Sequence, residues 1–291
     1  METEKENKPK KEKKKAVQKV FFCKGSIEKR KRLLKFYKGD FVVTSTNRTT
    51  KIKTDGLSYV YGAGAGFNFK DLNLFRELKT HALTNIKERQ LVFPEKEFNN
   101  VNNFKFSKQL IDFEAGLTLD NCVAFDINKA YYRTAFNIGL IDTAFYNRCI
   151  NLPKRLRLAL IGSIATKKMV TTYKGGKVVN FEIKTADKVL RHAWFNIVEY
   201  VDNCLKDLAQ MCGDRFLFYW VDGIYLIGNE EDFSDIVAEI SRKYDLEFKT
   251  EGVERIEIVN DSRGSKIANI YKTELIGKPV EYKPFYLTKQ K

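Results

Sequence analysis

The sequence predicts an α+β fold, an antiparallel sheet with helices packed on one face, preceded by a small mixed α/β N-terminal region. Three observations predict it. Of the 291 residues, 43% are hydrophobic and 13% aromatic, which is enough for a substantial core. Two apolar, β-prone runs, 123–125 and 218–221, each lead directly into an aspartate. The long segment 186–211 has the 3.6-residue apolar period of a helix lying on a sheet.

The N-terminal region begins with a Lys/Glu-rich segment, residues 1–19, that has no apolar periodicity. We expect a disordered basic tail there, which either keeps the chain in solution or tethers it to nucleic acid. Residues 20–107 follow as a mixed region with a candidate role in template binding. Strands are predicted at 39–45 and 56–61, and a helix at 71–89 with Asp71 as its N-terminal cap.

A glycine-rich segment in this region has the sequence Tyr-Val-Tyr-Gly-Ala-Gly-Ala-Gly. Glycines let a backbone approach phosphates, and the preceding tyrosines can stack on bases. Tyr59, Tyr61, Gly62 and Gly64 are therefore candidate nucleic-acid contacts, with a plain flexible turn as the alternative. The Gly-Lys-Ser/Thr ending of a phosphate-binding loop is absent.

Residues 108–272 are predicted to form the core domain, and 273–291 a C-terminal tail. The helix at 153–166 begins with a proline, which suits a first helical turn, and a Gly-Gly pair predicts a hairpin turn. The expected elements are a strand ending at Asp126, helices at 153–166, 186–211 and 230–244, a hairpin around 173–177, a strand ending at Asp222, and strands at 254–259 and 266–272.

The charge balance indicates a polyanionic partner. The chain carries 52 Lys+Arg against 37 Asp+Glu, a net charge of +15, and its pI is about 9.4. Nucleic acid is the commonest such partner. No apolar run approaches the roughly 20 residues that span a bilayer, and the N-terminus is too charged for a signal peptide. We therefore expect a cytoplasmic protein, in a bacterial cell or an infected host cell, with no membrane partner.

Several kinds of site are disfavoured by composition. The five cysteines are scattered and contain no CxxC pair, which argues against a disulfide framework or a zinc site. The two histidines, His81 and His192, are too far apart to suggest a metal pair or a catalytic triad. By contrast, Asp126 and Asp222 each follow an apolar strand. Hard divalent cations prefer oxygen ligands, so two strand-end carboxylates predict a Mg²⁺ site for phosphoryl transfer.

The residues Asp126-Ile127-Asn128-Lys129-Ala130-Tyr131-Tyr132-Arg133 resemble the first motif, DxxSLYPS, of family B DNA polymerases. The resemblance is to the palm of the minimal viral and mobile-element type and implies a palm-like sheet. It implies that Asp126 binds metal and that Tyr131 forms the platform that disfavours a ribose 2′-hydroxyl. Arg133 is a further candidate for binding the nucleotide.

The second motif of that family, KxxxNxxYG, is matched at its ends by Lys154 and Gly162. Leu158 stands where the family has Asn, and Ile161 where it has Tyr. Lys154 and Arg157 lie one helical turn apart and are expected to hold the triphosphate as charge-assisted partners.

The third motif, YxDTDS followed by an apolar strand, is matched best with Asp222 as its second Asp. Trp220 then stands where the first Asp is expected. The alternative register makes Asp222 the first Asp and puts Ile224 in place of the second. A Lys-x-Tyr motif that holds the primer end is echoed by Lys266 and Tyr271, both candidate nucleic-acid contacts.

The resemblance implies a template-dependent nucleotidyltransferase, a minimal family B-like DNA polymerase or primase-polymerase in replication of a virus or mobile element. Asp126 and Asp222 would bind two Mg²⁺ ions, with Mn²⁺ as a substitute. Expected partners are DNA template and primer, dNTPs, and a processivity or priming protein. No exonuclease motif is evident in residues 1–107, and little chain follows Tyr271 for a thumb. The alternative is a catalytically inactive, palm-derived accessory protein that binds nucleic acid.

Overall fold

The computed structural model describes residues 19–23, 39–46, 49–54, 57–62, 69–94, 107–109, 115–185, 187–260, 262, 264, 266–272 and 282–286. The chain divides into two compact units, one formed by residues 1–72 and 166–186, the other by 73–165 and 187–291. Helices and antiparallel strands are both abundant, so the predicted α+β class is confirmed. The two units divide the chain differently from the predicted domains, because the segment 166–186 belongs with the N-terminal unit.

The strands are β1 (Lys19–Cys23), β2 (Phe41–Ser45), β3 (Thr49–Lys53), β4 (Leu57–Gly62), β5 (Ser107–Gln109), β6 (Thr118–Ile127), β7 (Lys167–Lys174), β8 (Lys177–Thr185), β9 (Phe216–Trp220), β10 (Gly223–Ile227), β11 (Phe248–Asn260), β12 (Lys266–Lys272) and β13 (Tyr282–Tyr286). The helices are α1 (Phe69–Glu88), α2 (Ala130–Asn137), α3 (Thr143–Cys149), α4 (Lys154–Ile164), α5 (Lys188–Cys212) and α6 (Ser234–Tyr244).

The first unit is a six-stranded sheet in the order β1-β4-β3-β2-β7-β8, in which β1 and β4 pair in parallel and the other neighbours antiparallel. Phe41, Val43 and Ile52 are buried, and the ring of Tyr173 stacks on Phe41 at 4.3 Å between centroids. The predicted hairpin is confirmed as β7–β8. Both glycines of its turn have positive φ, as a two-residue turn of this kind requires.

The second unit is a seven-stranded sheet in the order β13-β12-β11-β6-β10-β9-β5, with all neighbours antiparallel. Side chains alternate along β6, which lies between β10 and β11. Val123, Phe125 and Ile127 pack with residues of α5 and α6. Cys122 and Ala124 pack on the opposite face with aliphatic residues of β11 and β12. The sheet therefore has a helix-covered face and a second face formed by its own apolar side chains.

The long predicted helix is confirmed as α5, which lies on the helix-covered face. Asp187 caps it by accepting a hydrogen bond from the backbone N–H of Leu190 at 3.0 Å. Trp194 is only partly buried. The other residues of the predicted apolar face are all buried: Leu190, Ile197, Val198, Val201, Leu205 and Leu208. Val201, Leu205 and Leu208 pack in one cluster with residues of β6, β9 and β10, which anchors the strands next to the two aspartates.

Several boundaries differ from the prediction. The first helix begins at Phe69, so Asp71 lies inside its first turn and is not its cap, although a carboxylate there still favours the helix dipole. Pro153 precedes α4 as its N-cap residue. The predicted tail 273–291 contains β13, which pairs with β12. The predicted N-terminal tail, 1–19, lies outside the described residues except for Lys19.

Among the helices that the structure describes, none is long and apolar enough to cross a membrane.

Candidate active site

Asp126 and Asp222 meet at one edge of the second unit's sheet. Asp126 is the penultimate residue of β6, and Asp222 is the second residue of the two-residue turn between β9 and β10. Gly223 pairs with Asp126 across the two strands, and the Ile127 N–H donates to the carbonyl oxygen of Asp222 at 2.8 Å. Both aspartates therefore line one cavity, which has a volume of about 180 Å³.

The turn that carries Asp222 is strained at the residue before it. Val221 has a φ of 59°. A β-branched side chain in the left-handed region costs roughly 1–3 kcal/mol, which the surrounding strands must offset. Strain of this kind occurs most often at functional sites. Here the strained residue directly precedes Asp222, which lines the cavity with Asp126.

Replacing Val221 by Gly or by Ala tests this strain directly. Both variants remove the same apolar side chain, but only glycine adopts a positive φ at no steric cost. We expect the Gly variant to be more stable than the Ala variant by about 1 kcal/mol, the reverse of the usual order in a strand or helix. Urea unfolding of the two proteins measures the difference. An Ala variant as stable as the Gly variant would contradict the strain.

Burial and the repulsion between the two aspartates act on Asp222 more strongly than the nearby positive charges do. Burial and, second to it, the charge of Asp126 together raise the pKa of Asp222 to about 6, against the opposing effect of Lys154 and Lys249. Burial also raises the pKa of the Tyr131 phenol, with a further contribution from the charge of Asp222. Tyr131 therefore stays neutral beside the carboxylates. An environment that penalises two adjacent negative charges favours a cation between them.

Lys249 is a residue of the site that sequence reasoning missed. It lies opposite Asp126 in the register of β11 and β6. Its Nζ is 2.9 Å from Oδ2 of Asp126 and 3.3 Å from Oε1 of Glu251. The strand predicted at 254–259 begins earlier, at Phe248, and so includes Lys249. Charged residues at every second position, 247, 249 and 251, were the available signal of a strand with one polar face.

A second wall of the cavity is the turn from β6 into α2. Asn128 fixes this turn: its backbone N–H donates to the Glu247 carbonyl at 2.7 Å, and its Nδ2 donates to Oε2 of Glu247 at 2.9 Å. Lys129, the N-cap residue, has a φ of 55° and makes no side-chain capping bond. Ala130 and Tyr131 follow as the first helical residues, and all of this segment lines the cavity. The first amides of a helix have no acceptor within it and are suited to anionic groups.

A third wall is the first turn of α4, which supplies positive charge. Lys154, Arg157 and Leu158 line the cavity. Nη1 of Arg157 donates to the carbonyl oxygens of Ile150, at 3.1 Å, and Leu152, so the guanidinium is held in place. Leu158 is 47% exposed and presents an apolar side chain at the position where the second motif of family B polymerases has Asn. The structure therefore brings the predicted Lys154, Arg157 and Tyr131 together with both aspartates.

Arg133, another predicted nucleotide-binding residue, is not brought to this cavity. Its Nη2 donates to both carboxylate oxygens of Asp245, at 2.8 and 2.7 Å. Its guanidinium also lies over the rings of Phe136 and Tyr146, at 5.3 and 5.6 Å from their centroids. These contacts join α2 to the residue that follows α6. They give Arg133 a structural partner in place of the predicted phosphate.

Lys266 and Tyr271, the predicted primer contacts, also lie away from the aspartates. Tyr271 pairs with Arg255, and Arg255 pairs with Asp120. Asp120 precedes Asp126 by six residues along β6, about 20 Å at roughly 3.3 Å per residue. Lys266 lies still further away at the opposite end of β12. The hydroxyl of Tyr271 donates to Glu257 at 2.8 Å, a contact within the sheet.

The predicted contacts in the glycine-rich segment belong to the first unit. Tyr59, Tyr61 and Gly62 lie in β4, where they pair with β3 and β1. Gly64 lies outside the described residues. This placement makes the two tyrosines strand residues, so they are not part of a flexible turn.

The donor set fits a divalent cation that takes most of its ligands from substrate and water. Within the described residues, no cluster of three or more His, Cys, Asp or Glu side chains could hold a metal alone. Mg²⁺ in nucleotide sites usually takes one or two carboxylates and completes its shell with phosphate oxygens and water. Asp126 and Asp222 provide that number of carboxylates, and a bound cation would offset the repulsion that raises the pKa of Asp222.

No protein-family model matches this chain. A search of curated proteins likewise gives no significant match.

Proposed function

We propose that this protein is a template-dependent nucleotidyltransferase with a family B-like palm, which extends DNA from dNTPs. The observation that carries the proposal is the meeting of Asp126 and Asp222 in one cavity whose other walls carry Lys154 and Arg157. A carboxylate near the end of β6 and one in the turn before the neighbouring strand β10 share a cavity with basic residues of a helix, and this set of groups suits the two ends of a phosphoryl transfer. One end needs a cation site, and the other needs groups that bind a triphosphate.

Asp126 and Asp222 would hold Mg²⁺, with Mn²⁺ as a substitute. When bound, the metal lowers the pKa of a 3′-hydroxyl and neutralises charge on the attacking and leaving oxygens. The protein's own part is to hold the two carboxylates in fixed positions. The hydrogen bond from the Ile127 N–H to the Asp222 carbonyl fixes the backbone at Asp222, and the pairing of Asp126 with Gly223 fixes the backbone at Asp126.

The triphosphate would lie against the walls formed by α2 and α4. Lys154, which is exposed, contributes an ammonium group, and Arg157 contributes a guanidinium already held through Nη1. The N-terminal residues of α2 line the same cavity, and the amides at a helix N-terminus carry a partial positive charge. Charge-assisted hydrogen bonds from such groups are stronger than neutral ones, so these residues stabilise the developing pyrophosphate.

Tyr131 is the proposed residue for choosing the sugar. Its ring packs at the edge of the main core cluster, beside both aspartates. Substituting Tyr131 by Phe keeps the ring and is expected to leave sugar choice nearly unchanged. Substituting it by Val opens space at the sugar and is expected to raise the rNTP-to-dNTP incorporation ratio by about tenfold or more. Competition assays with paired dNTPs and rNTPs measure this ratio. An unchanged ratio in the Val variant would remove Tyr131 from this role.

The proposal is tested by incorporation of labelled dNTPs and rNTPs on single-stranded template, with and without primer, in Mg²⁺ or Mn²⁺. Extension that needs both template and divalent cation supports the assignment. Dependence on a primer, and the preferred sugar, then distinguish a polymerase from a primase-polymerase. Lack of any incorporation on primed template, in either metal, would overturn the assignment.

One observation favours a second candidate, a catalytically inactive protein that binds nucleic acid. Trp220, at the position of the family's first carboxylate in the preferred register, ends β9 opposite Gly223 and is 45% exposed. A half-exposed indole can stack on a base. With a net charge of +15, this candidate predicts binding with a steep salt dependence and no cation-dependent synthesis. Filter-binding measurements across salt concentrations, beside the incorporation assay, separate the two candidates.

A further inference from the structure

The side chain of Lys249 occupies the place where a metal would meet Asp126. Its Nζ is 2.9 Å from Oδ2 of that aspartate, and Lys249, Asp126 and Asp222 all line the same cavity. Lys249 is half exposed, with 48% of its side chain accessible, whereas the side chain of Asp126 is 19% accessible. An ion pair of such exposure contributes little to folding stability. Its position therefore calls for a functional explanation.

Glu251 offers the same ammonium group a second position. It lies two residues along β11 from Lys249, so both side chains project from the same face of the sheet. Oε1 of Glu251 is 3.3 Å from Nζ of Lys249, and its other oxygen, Oε2, accepts from Lys272. Lys272 thereby fixes the Glu251 carboxylate, whose other oxygen, Oε1, is the one near Lys249. The ammonium of Lys249 thus contacts both carboxylates, and Glu251 remains as its partner when the contact with Asp126 is lost.

We propose that Lys249 is a built-in counter-ion that competes with the divalent cation for Asp126, and that Glu251 receives it when the metal binds. This inference rests on the proposed function, since it assigns a regulator to the same site. The positive charge of Lys249 this close to Asp126 weakens the binding of a second positive ion. With neither the ammonium nor a metal in place, the two aspartates would repel each other. Lys249 thus keeps the site assembled without metal and sets how much metal is needed to load it.

The test measures Mn²⁺ binding to the full-length protein by electron paramagnetic resonance, with no substrate present. The Asp126→Asn variant identifies which bound Mn²⁺ belongs to this site. We expect Lys249→Gln to bind that Mn²⁺ about tenfold more tightly than the wild type, and Lys249→Arg to bind it within about twofold of the wild type. Lys243→Gln is the matched control, because it removes one charge from a Lys–Asp pair outside the cavity.

Glu251→Gln is expected to change the affinity in the opposite direction. Without its second position, Lys249 stays with Asp126 and the metal binds more weakly. In a Lys249→Gln background the same change is expected to have a much smaller effect, because no ammonium remains to be displaced. Thermal unfolding with and without Mn²⁺ provides an independent measure of the same affinities and shows that each variant is folded.

Equal or weaker Mn²⁺ binding in Lys249→Gln would overturn the role of Lys249 and leave the proposed function standing. The same holds if Lys243→Gln changes the affinity as much as Lys249→Gln, since general charge would then explain the effect. Absence of any Asp126-dependent Mn²⁺ in the wild type and in Lys249→Gln would instead contradict the proposed metal site itself. Binding that appears only in Lys249→Gln would support the competition.

Discussion

Replacing Asp126 by Asn, or Asp222 by Asn, is expected to lower Mg²⁺-dependent nucleotide incorporation by about a thousandfold or more. Each substitution keeps the size and shape of the side chain and removes one negative charge from a cavity that has no other carboxylate among its lining residues. A neutral amide is a poor ligand for a hard cation. The remaining aspartate would also face Lys154 and Lys249 alone, which further disfavours a second positive ion.

The control for both variants is Asp207→Asn. Asp207 bonds to Lys243 and Tyr244 and does not line the cavity, so its loss should leave incorporation nearly unchanged. Steady-state rates on primed template, with circular dichroism of each protein, make the comparison. Full incorporation by Asp126→Asn would exclude the assignment of this cavity as the catalytic site.

The carboxylate positions were predictable because local sequence and tertiary pairing agree there. The apolar runs before Asp126 and Asp222 have the composition of buried strands, and β6 and β10 are indeed neighbours in the sheet. The apolar period of α5 predicts the surface that covers those strands. When propensity, periodicity and burial favour the same structure, a single sequence is sufficient.

Elements set by distant contacts were not predictable from local signals. Thr49–Lys53 alternates polar residues with one buried isoleucine and becomes β3 only because β2 and β4 flank it. The segment 282–286 is a strand because β12 offers it an edge. The hairpin itself was predicted, but its membership of the first unit depends on pairing between β7 and β2, which are more than a hundred residues apart in sequence.

Of the residues singled out by the resemblance, some line the cavity with the aspartates and others have partners elsewhere. Tyr131 lies five residues after Asp126 and lines the same cavity. Arg133, two residues further, faces away and bonds to Asp245 across more than a hundred residues of sequence. Lys249 was missed for the same reason. Its role depends on a register that places it opposite Asp126, which the sequence does not encode locally.

Asp222→Asn is also expected to stabilise the fold, by about 1–3 kcal/mol at pH 7.5 in a metal-free buffer containing EDTA. Burial and the charge of Asp126 raise the pKa of Asp222 to about 6, well above its ordinary value. Between about pH 4 and pH 6 the folded protein therefore keeps a proton that the unfolded chain has already lost. The ionised carboxylate lowers stability above the folded pKa, and the penalty fades as the pH falls toward the unfolded pKa. Asparagine resembles the protonated acid and carries no such penalty.

The stability difference between Asp222→Asn and the wild type should accordingly be largest above pH 7 and approach zero near the ordinary pKa of an aspartate, about 4. Asp207→Asn provides a control of opposite sign. Hydrogen bonds from Lys243 and Tyr244 lower the pKa of Asp207, so its charge stabilises the fold at neutral pH and that contribution is lost as the pH falls. Urea unfolding at a series of pH values measures both. A site kept for binding a cation costs stability until that cation is bound. If the wild type is instead more stable than Asp222→Asn at pH 7.5, the two carboxylates belong to an ion network that stabilises the fold.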